Sequence, residues 1–290
     1  MSILVNGVLL GLGYCLIAVG MALILGVAKA FDLAYGIYFV VSPYLALELI
    51  KLLGPNTPVW LTFVLAAVGP GVLALLIHNF LILPIRKQHA AVLVSTIAVG
   101  LVAQELLIFK EGSEPVHFPA LIGGASNLLG VWVTNQKLLV AGVTVGLLIL
   151  LWLILTRTRW GLAIRVTAEQ PEAMQLAGGN IRLIFLSTAV MSGIVAALGG
   201  LLLGSIYPPH PEVWLDVLII AFAVMVLGGL GNIWGCLPAA LILGISEVAV
   251  AIYVPYGGII KRSVGLMIIL ITLALRPSGL FGVKGWEEEG

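Results

Sequence analysis

Charge is what this chain lacks. Of its 290 residues only 9% are Asp, Glu, Lys or Arg, where a soluble domain carries about 25%. Too few polar groups remain to cover a water-facing surface. A soluble enzyme, a disordered chain and a nucleic-acid binder are thereby excluded. The charges nearly cancel, at a formal net +1, so no global field steers an acidic or basic partner. Cysteine is scarce as well. Cys15 and Cys236 stand alone in or beside apolar runs, so they read as small packing residues rather than a disulfide or metal pair. The four histidines show no H-x-x-x-H or H-E-x-x-H spacing, and no G-x-S-x-G elbow occurs; nothing points to an enzyme. No G-x-x-x-x-G-K-[ST] phosphate loop occurs either, so nucleotide-driven work would need another chain to bind the nucleotide. The first cation is Lys29. A basic region ahead of the first apolar run is therefore missing, and that run is expected to be retained as a membrane segment.

What the chain has instead is apolar length. Hydrophobic residues make up 61% of it, and a spanning helix needs about 20. Apolar runs cover about Ile3–Val27, Leu33–Leu53, Val59–Leu83, Ala90–Phe109, Leu138–Leu155, Leu183–Ile206, Leu215–Leu227, Leu237–Val254 and Val264–Leu275. The pattern predicts an all-α polytopic transmembrane bundle of about eight or nine spans, forming one domain over 1–290. The run before Gly228-Gly229-Leu230-Gly231-Asn232 is short and is either a full span or a re-entrant segment. Glycine, at 35 residues, suits close helix–helix approach in lipid.

Basic residues set the expected orientation. With nine spans and the N-terminus outside, the inner segments hold Lys29, Arg86, Lys87, Arg157, Arg159, Arg165, Arg182, Arg276 and Lys284. The outer segments hold only Lys51, Lys110, Lys137, Lys261 and Arg262. The excess lies inside, which places the C-terminus inside too.

The inner loop over 156–182 carries its own helix signals. Pro171 suits a first helical position, Glu172 complements the positive helix end, and Gly178 with Gly179 offers a left-handed cap. About two turns fit between, with Ala173, Leu176 and Ala177 as a small apolar face. Such a helix either fits a partner's groove or simply connects two spans.

Particular residues tilt this choice. Gly161, Ala163, Arg165, Ala168, Pro171, Glu172, Ala173, Leu176 and Gly178 match the run G-x-A-x-R-A-x-A-x-x-P-E-A-A-x-L-x-G-I, with Met174 and Gly179 as departures. Phe31-Asp32-Leu33-Ala34-Tyr35-Gly36 resembles N-F-A-H-G, departing at Asp32 and Tyr35. Pro84-Ile85-Arg86 resembles a basic loop before the fourth span. Leu227-Gly228-Gly229-Leu230-Gly231-Asn232-Ile233-Trp234-Gly235 resembles L-G-G-L-G-S-I-x-G, and Arg276-Pro277-Ser278-Gly279-Leu280-Phe281-Gly282 resembles R-P-x-G-L-F-G. These are motifs of the branched-chain amino-acid ABC permease family, the LivH and LivM type, which includes urea-importer permeases. The resemblance runs along essentially the whole chain.

That resemblance implies the inner-membrane permease subunit of an ATP-driven importer for a small polar solute, such as branched-chain or neutral amino acids or urea. It implies two cytoplasmic ATPase subunits, a second permease that is homologous or identical, and an extracytoplasmic solute-binding protein. The chain itself would bind no cofactor, with ATP hydrolysed by its partners and no nucleic acid involved. ATPase coupling falls to Arg165, Pro171, Glu172, Ala173, Leu176 and Gly178. Candidate pathway residues are Ser95, Thr96, Ser187, Thr188, Ser192, Asn232 and Glu247. For Ser187, Thr188 and Ser192, at helical spacing on span six, the usual reading is helix packing through bonds to backbone carbonyls, the other a substrate-facing stripe. Glu247, central in its run, is either functional or an internally paired acid. The alternative is a secondary transporter or channel working without an ATPase, with Glu247 as its coupling acid.

Overall fold

A computed structural model describes residues 1–54, 58–116, 118, 120–128, 130–254, 265–268, 270–272, 274, 276 and 279–280. The sequence readings at His117, Lys261, Arg262, Lys284, the tail 286–290 and parts of the final apolar run and closing motif lie outside them. Among the described residues, seven helices are long and apolar enough to span a membrane. They are α1 (Ser2–Ala28), α2 (Tyr35–Leu53), α3 (Val59–Ile77) with its continuation, α5 (His89–Glu111), α6 (Asn135–Arg157), α9 (Ile181–Leu203) and α11 (Ile233–Tyr253). The α3 span continues through a π-helical turn, His78–Ile82, into the short α4 (Leu83–Ile85). The first eight expected apolar runs each coincide with an observed helix. The protein is a multi-pass helical membrane bundle.

The bundle is built around α1. It packs on α11, α9, α6 and the short helix α10 (Val213–Gly228), while α9 also packs on α2 and α3. Residues 15–19 and 21–25 of α1 are all nearly inaccessible. A helix apolar on every face belongs in the middle of such a bundle. Glycine lets α11 come this close. A Cβ on Gly11 would sit 2.7 Å from the Ala240 carbonyl oxygen, and one on Gly7 would sit 2.7 Å from Ile245 Cα. Two glycines four residues apart form the flat strip that membrane helices use to touch backbones.

The short helix α10 (Val213–Gly228) has 16 residues, about 24 Å at 1.5 Å per residue. It begins beyond the C-terminal end of α9 and finishes beside the C-terminal end of α1, where Gly26 faces Gly231. The chain therefore crosses the bundle here rather than turning back. The glycine cluster after it forms a turn, with Gly229 at φ 98° and Gly231 at φ 74°. Asn232 then caps α11, its side chain accepting from Trp234 N and Gly235 N at 3.1 and 3.2 Å.

Two elements in the polar stretches escaped the sequence reading. One is an antiparallel hairpin, β1 (Ala125–Leu128) with β2 (Val131–Thr134), pairing Ala125 with Thr134 and Leu128 with Val131. The other is α7 (Arg159–Glu169), which precedes α8 (Pro171–Leu176). The hairpin precedes α6 and α7 follows it, so they lie at opposite ends of that span. At the hairpin's end of the bundle, Lys51, Lys110, Glu48 and Glu111 form an ionic clasp between α2 and α5, with Lys51 Nζ 3.0 Å and Lys110 Nζ 3.5 Å from Glu48.

Candidate functional site

The α7–α8 hairpin is held to the bundle by local chemistry. Thr158 caps α7 by accepting from Gly161 N at 3.0 Å, a bond that satisfies a free helix-end donor. Gly161, Ile164 and Thr167 fall on one face and are buried. Ile164 packs with Leu23, Val27, Leu155, Ile181, Ile184 and Phe185 in a small apolar cluster at the ends of α1, α6 and α9. At Gly161 the fit is tightest, because an added Cβ would reach within 2.5 Å of Leu155 Cα. The hairpin base is thus fixed to three spans at once.

Its tip faces outward. Pro171 stands at the first position of α8 and Glu172 in its first turn, as the sequence predicts. Ala177 ends the helix, and Gly178, at φ 79°, and Gly179 close it by donating to the carbonyls of Gln175 and Met174, both at 2.9 Å. This double bond pattern is a Schellman cap, which only a residue tolerant of left-handed backbone completes without strain. Arg165, Glu172, Ala173 and Leu176 are exposed, and Pro171 is partly so. Leu176 is 91% exposed, a large apolar side chain held out on a rigid tip. Beneath lies a cavity of about 230 Å³ lined by Arg159, Trp160, Ala163, Met174, Asn180, Leu183 and Ile184. All six residues assigned to coupling fall on or beside this hairpin.

The pathway candidates do not gather in the same way. Thr96 and Thr188 are buried, and each hydroxyl donates back to the carbonyl four residues earlier, at 2.8 and 2.7 Å. Ser95 and Ser187 bond to carbonyls three residues earlier. Ser192 crosses to α1 and donates to the Gly20 carbonyl at 2.8 Å. Asn232 serves as the helix cap already described. Glu247 is 6% exposed and accepts from the Tyr14 hydroxyl of α1 at 2.7 Å. These bonds fit the packing role that the sequence left open for the hydroxyls and the internal pairing it left open for Glu247. An apolar cavity of about 240 Å³ between α6 and α11, lined by Leu148, Ile149, Trp152, Ile233, Trp234 and Leu237, includes none of them.

The sequence reading missed a buried polar cluster. Asp32, between α1 and α2, is 1% exposed and accepts from Ala34 N at 3.0 Å and the Tyr38 hydroxyl at 2.8 Å. His78, at the start of the π-turn, faces it. Asp32 did stand out as a departure from the N-F-A-H-G pattern, but no spacing rule joins it to His78. Trp214 was also unforeseen. Fully buried in the first turn of α10, it donates from its indole nitrogen to Gln104 of α5 at 2.6 Å.

Comparison with known proteins agrees with this architecture. The chain is 28% identical to the high-affinity branched-chain amino acid transport system permease protein LivH of Salmonella typhimurium over 291 residues, covering 96% of this chain and 94% of that protein. BraD of Pseudomonas aeruginosa, a permease protein described in the same words, is 28% identical over 292 residues, with the same coverage. Among solved structures, PsaBC from Streptococcus pneumoniae in complex with Fab has a similar fold. Its TM-score is 0.53 at 11% identity, covering 96% of this chain and 93% of that one. The family model described as "Branched-chain amino acid transport system / permease component" matches residues 3–275, and the chain belongs to that family.

Proposed function

We propose that this chain is the permease subunit of an ATP-driven importer, with 156–182 as its cytoplasmic coupling loop. The observation that carries the reading is the α7–α8 hairpin: a base packed on the ends of α1, α6 and α9 and a tip presenting Leu176 to solvent. A rigid lever of this kind passes a partner's movement to the spans as a body. Its partners are two cytoplasmic ATPase subunits gripping Glu172, Ala173 and Leu176, a second permease, and an extracytoplasmic binding protein. The N-terminus then lies outside and the loop inside, in the inner membrane. The ATP is hydrolysed by the partners.

The transported solute is a branched-chain or closely similar neutral amino acid. The names of the relatives, LivH and BraD, support that class over urea. A self-sufficient secondary transporter needs a proton- or ion-coupling site. Glu247 is the central acid, and its bond to Tyr14 supports a structural duty instead.

Replacing Glu172 with Arg and Ala173 with Trp tests the assignment. ATP-coupled uptake of radiolabelled leucine by the assembled importer should fall at least tenfold while the chain still inserts in the membrane. Unchanged uptake would remove the lever assignment.

A further inference from the structure

The π-turn His78–Ile82 lies between two grips. Such turns insert an extra residue in the helical repeat and re-aim the side chains around them. Here His78 turns inward. Its Nδ1 lies 2.9 Å from the Ala74 carbonyl oxygen. A carbonyl only accepts, so Nδ1 carries a proton, and in a neutral imidazole Nε2 is then bare. Nε2 lies 3.7 Å from Asp32 Oδ2, with the two side chains 3% and 0% exposed. That distance is beyond a hydrogen bond but within ion-pair range. An ionised Asp32 facing a bare Nε2 would be a buried charge with no counter-charge against it among the described residues, an arrangement that proteins avoid. One further proton, on either group, cures this.

The next residue points the other way. Asn79 Oδ1 accepts from Arg182 Nη2 at 2.7 Å. Arg182 lies in the first turn of α9, just after Asn180, which caps that helix through Leu183 N at 3.1 Å. Asn180 follows the glycines that close α8. One π-turn thus touches both the α1–α2 corner and the exit of the α7–α8 hairpin.

We propose that Asp32 and His78 hold one proton between them, making a neutral buried latch that positions the π-turn against the root of the coupling hairpin. The groups facing the pair come from several elements. Tyr38 of α2 donates to Asp32. Tyr35 of α2 stacks edge-on against Tyr38 with ring centroids 6.1 Å apart, and its hydroxyl donates to the Ile17 carbonyl of α1 at 2.6 Å. From α5, Thr96 accepts the Leu33 N–H at 3.2 Å. Arg182 of α9 reaches the turn through Asn79. The latch's link to force transmission rests on the reading of the hairpin given above; its proton does not.

The full chain in lipid nanodiscs, with 15N-labelled histidine, tests the proton. At pH 8, His78 should show two protonated ring nitrogens, or else Asp32 should show a carboxylic-acid C=O band that disappears in Asp32→Asn. A singly protonated His78 without that band would overturn the latch. Thermal unfolding adds a second readout. Asp32→Asn supplies a neutral partner, so the melting-temperature drop caused by His78→Gln should at least halve in the Asp32→Asn background. Equal drops would reduce the pair to packing and overturn the proposal. In the assembled importer, Arg182→Met should leave the His78 signature intact and lower ATP hydrolysis severalfold. Intact hydrolysis beside an intact signature would refute the positioning role and leave the assignment of the hairpin standing.

Discussion

Leu176 gives the sharpest handle on the coupling reading. It is 91% exposed at the end of α8, so replacing it removes almost nothing from the isolated permease. Exposed substitutions of this kind usually shift stability by no more than about 0.5 kcal/mol. If an ATPase groove buries the side chain, the change Leu176→Asn forfeits the burial of one leucine, about 1.5–3 kcal/mol. At about 1.4 kcal/mol per factor of ten, association with the ATPase subunit weakens roughly 10- to 150-fold. The assay is biolayer interferometry between the permease in nanodiscs and its purified ATPase, with thermal unfolding of the permease alone as the control. Weakened binding with an unchanged melting temperature is expected. Unchanged binding would show that the tip is not an anchor, and lost stability would show that Leu176 packs within its own chain.

Further tests probe neighbouring parts. Gly161→Val forces a side chain onto the backbone of Leu155 and should destabilise the hairpin base by about 1–3 kcal/mol, seen as faster proteolysis within 156–182; equal proteolysis would mean that α7 is not pressed on α6. Tyr14→Phe removes the donor to Glu247 and should cost about 1–3 kcal/mol of stability, whereas Glu247→Gln should retain ATP-driven uptake. Loss of uptake with retained stability in the latter would restore Glu247 as a transport acid. Asn232→Ala should cost about 0.5–2 kcal/mol as a lost helix cap, read by chemical unfolding, and should leave the half-saturating solute concentration unchanged.

The spans were legible because lipid imposes one signal on all of them, a long apolar run that needs no partner to be read. The α8 tip was legible for a related reason, since Pro171, Glu172 and Gly178 act through backbone geometry within a few residues. The helix α7 was not. Its buried face rests on Gly161, Ile164 and Thr167, and neither Gly nor Thr registers as apolar, so the stretch read as polar loop. The β-hairpin was hidden likewise, because only Val133 of its second strand is buried. The partners in polar contacts across the fold were not legible. Asp32 and His78 are 46 positions apart, and Tyr14 and Glu247 are separated by 233. No periodicity joins such residues; only the folded chain does. For the same reason the carbonyls that the Thr96, Thr188 and Ser192 hydroxyls bond to were not legible, Ser192 reaching one 172 positions away.

The most direct test of the whole account is reconstitution in proteoliposomes. With the ATPase subunits, the second permease, the binding protein and ATP present, radiolabelled leucine should accumulate, and omission of the ATPases should reduce uptake to the level of empty vesicles. Accumulation by this chain without any ATPase would contradict the claim that it works only when driven by one.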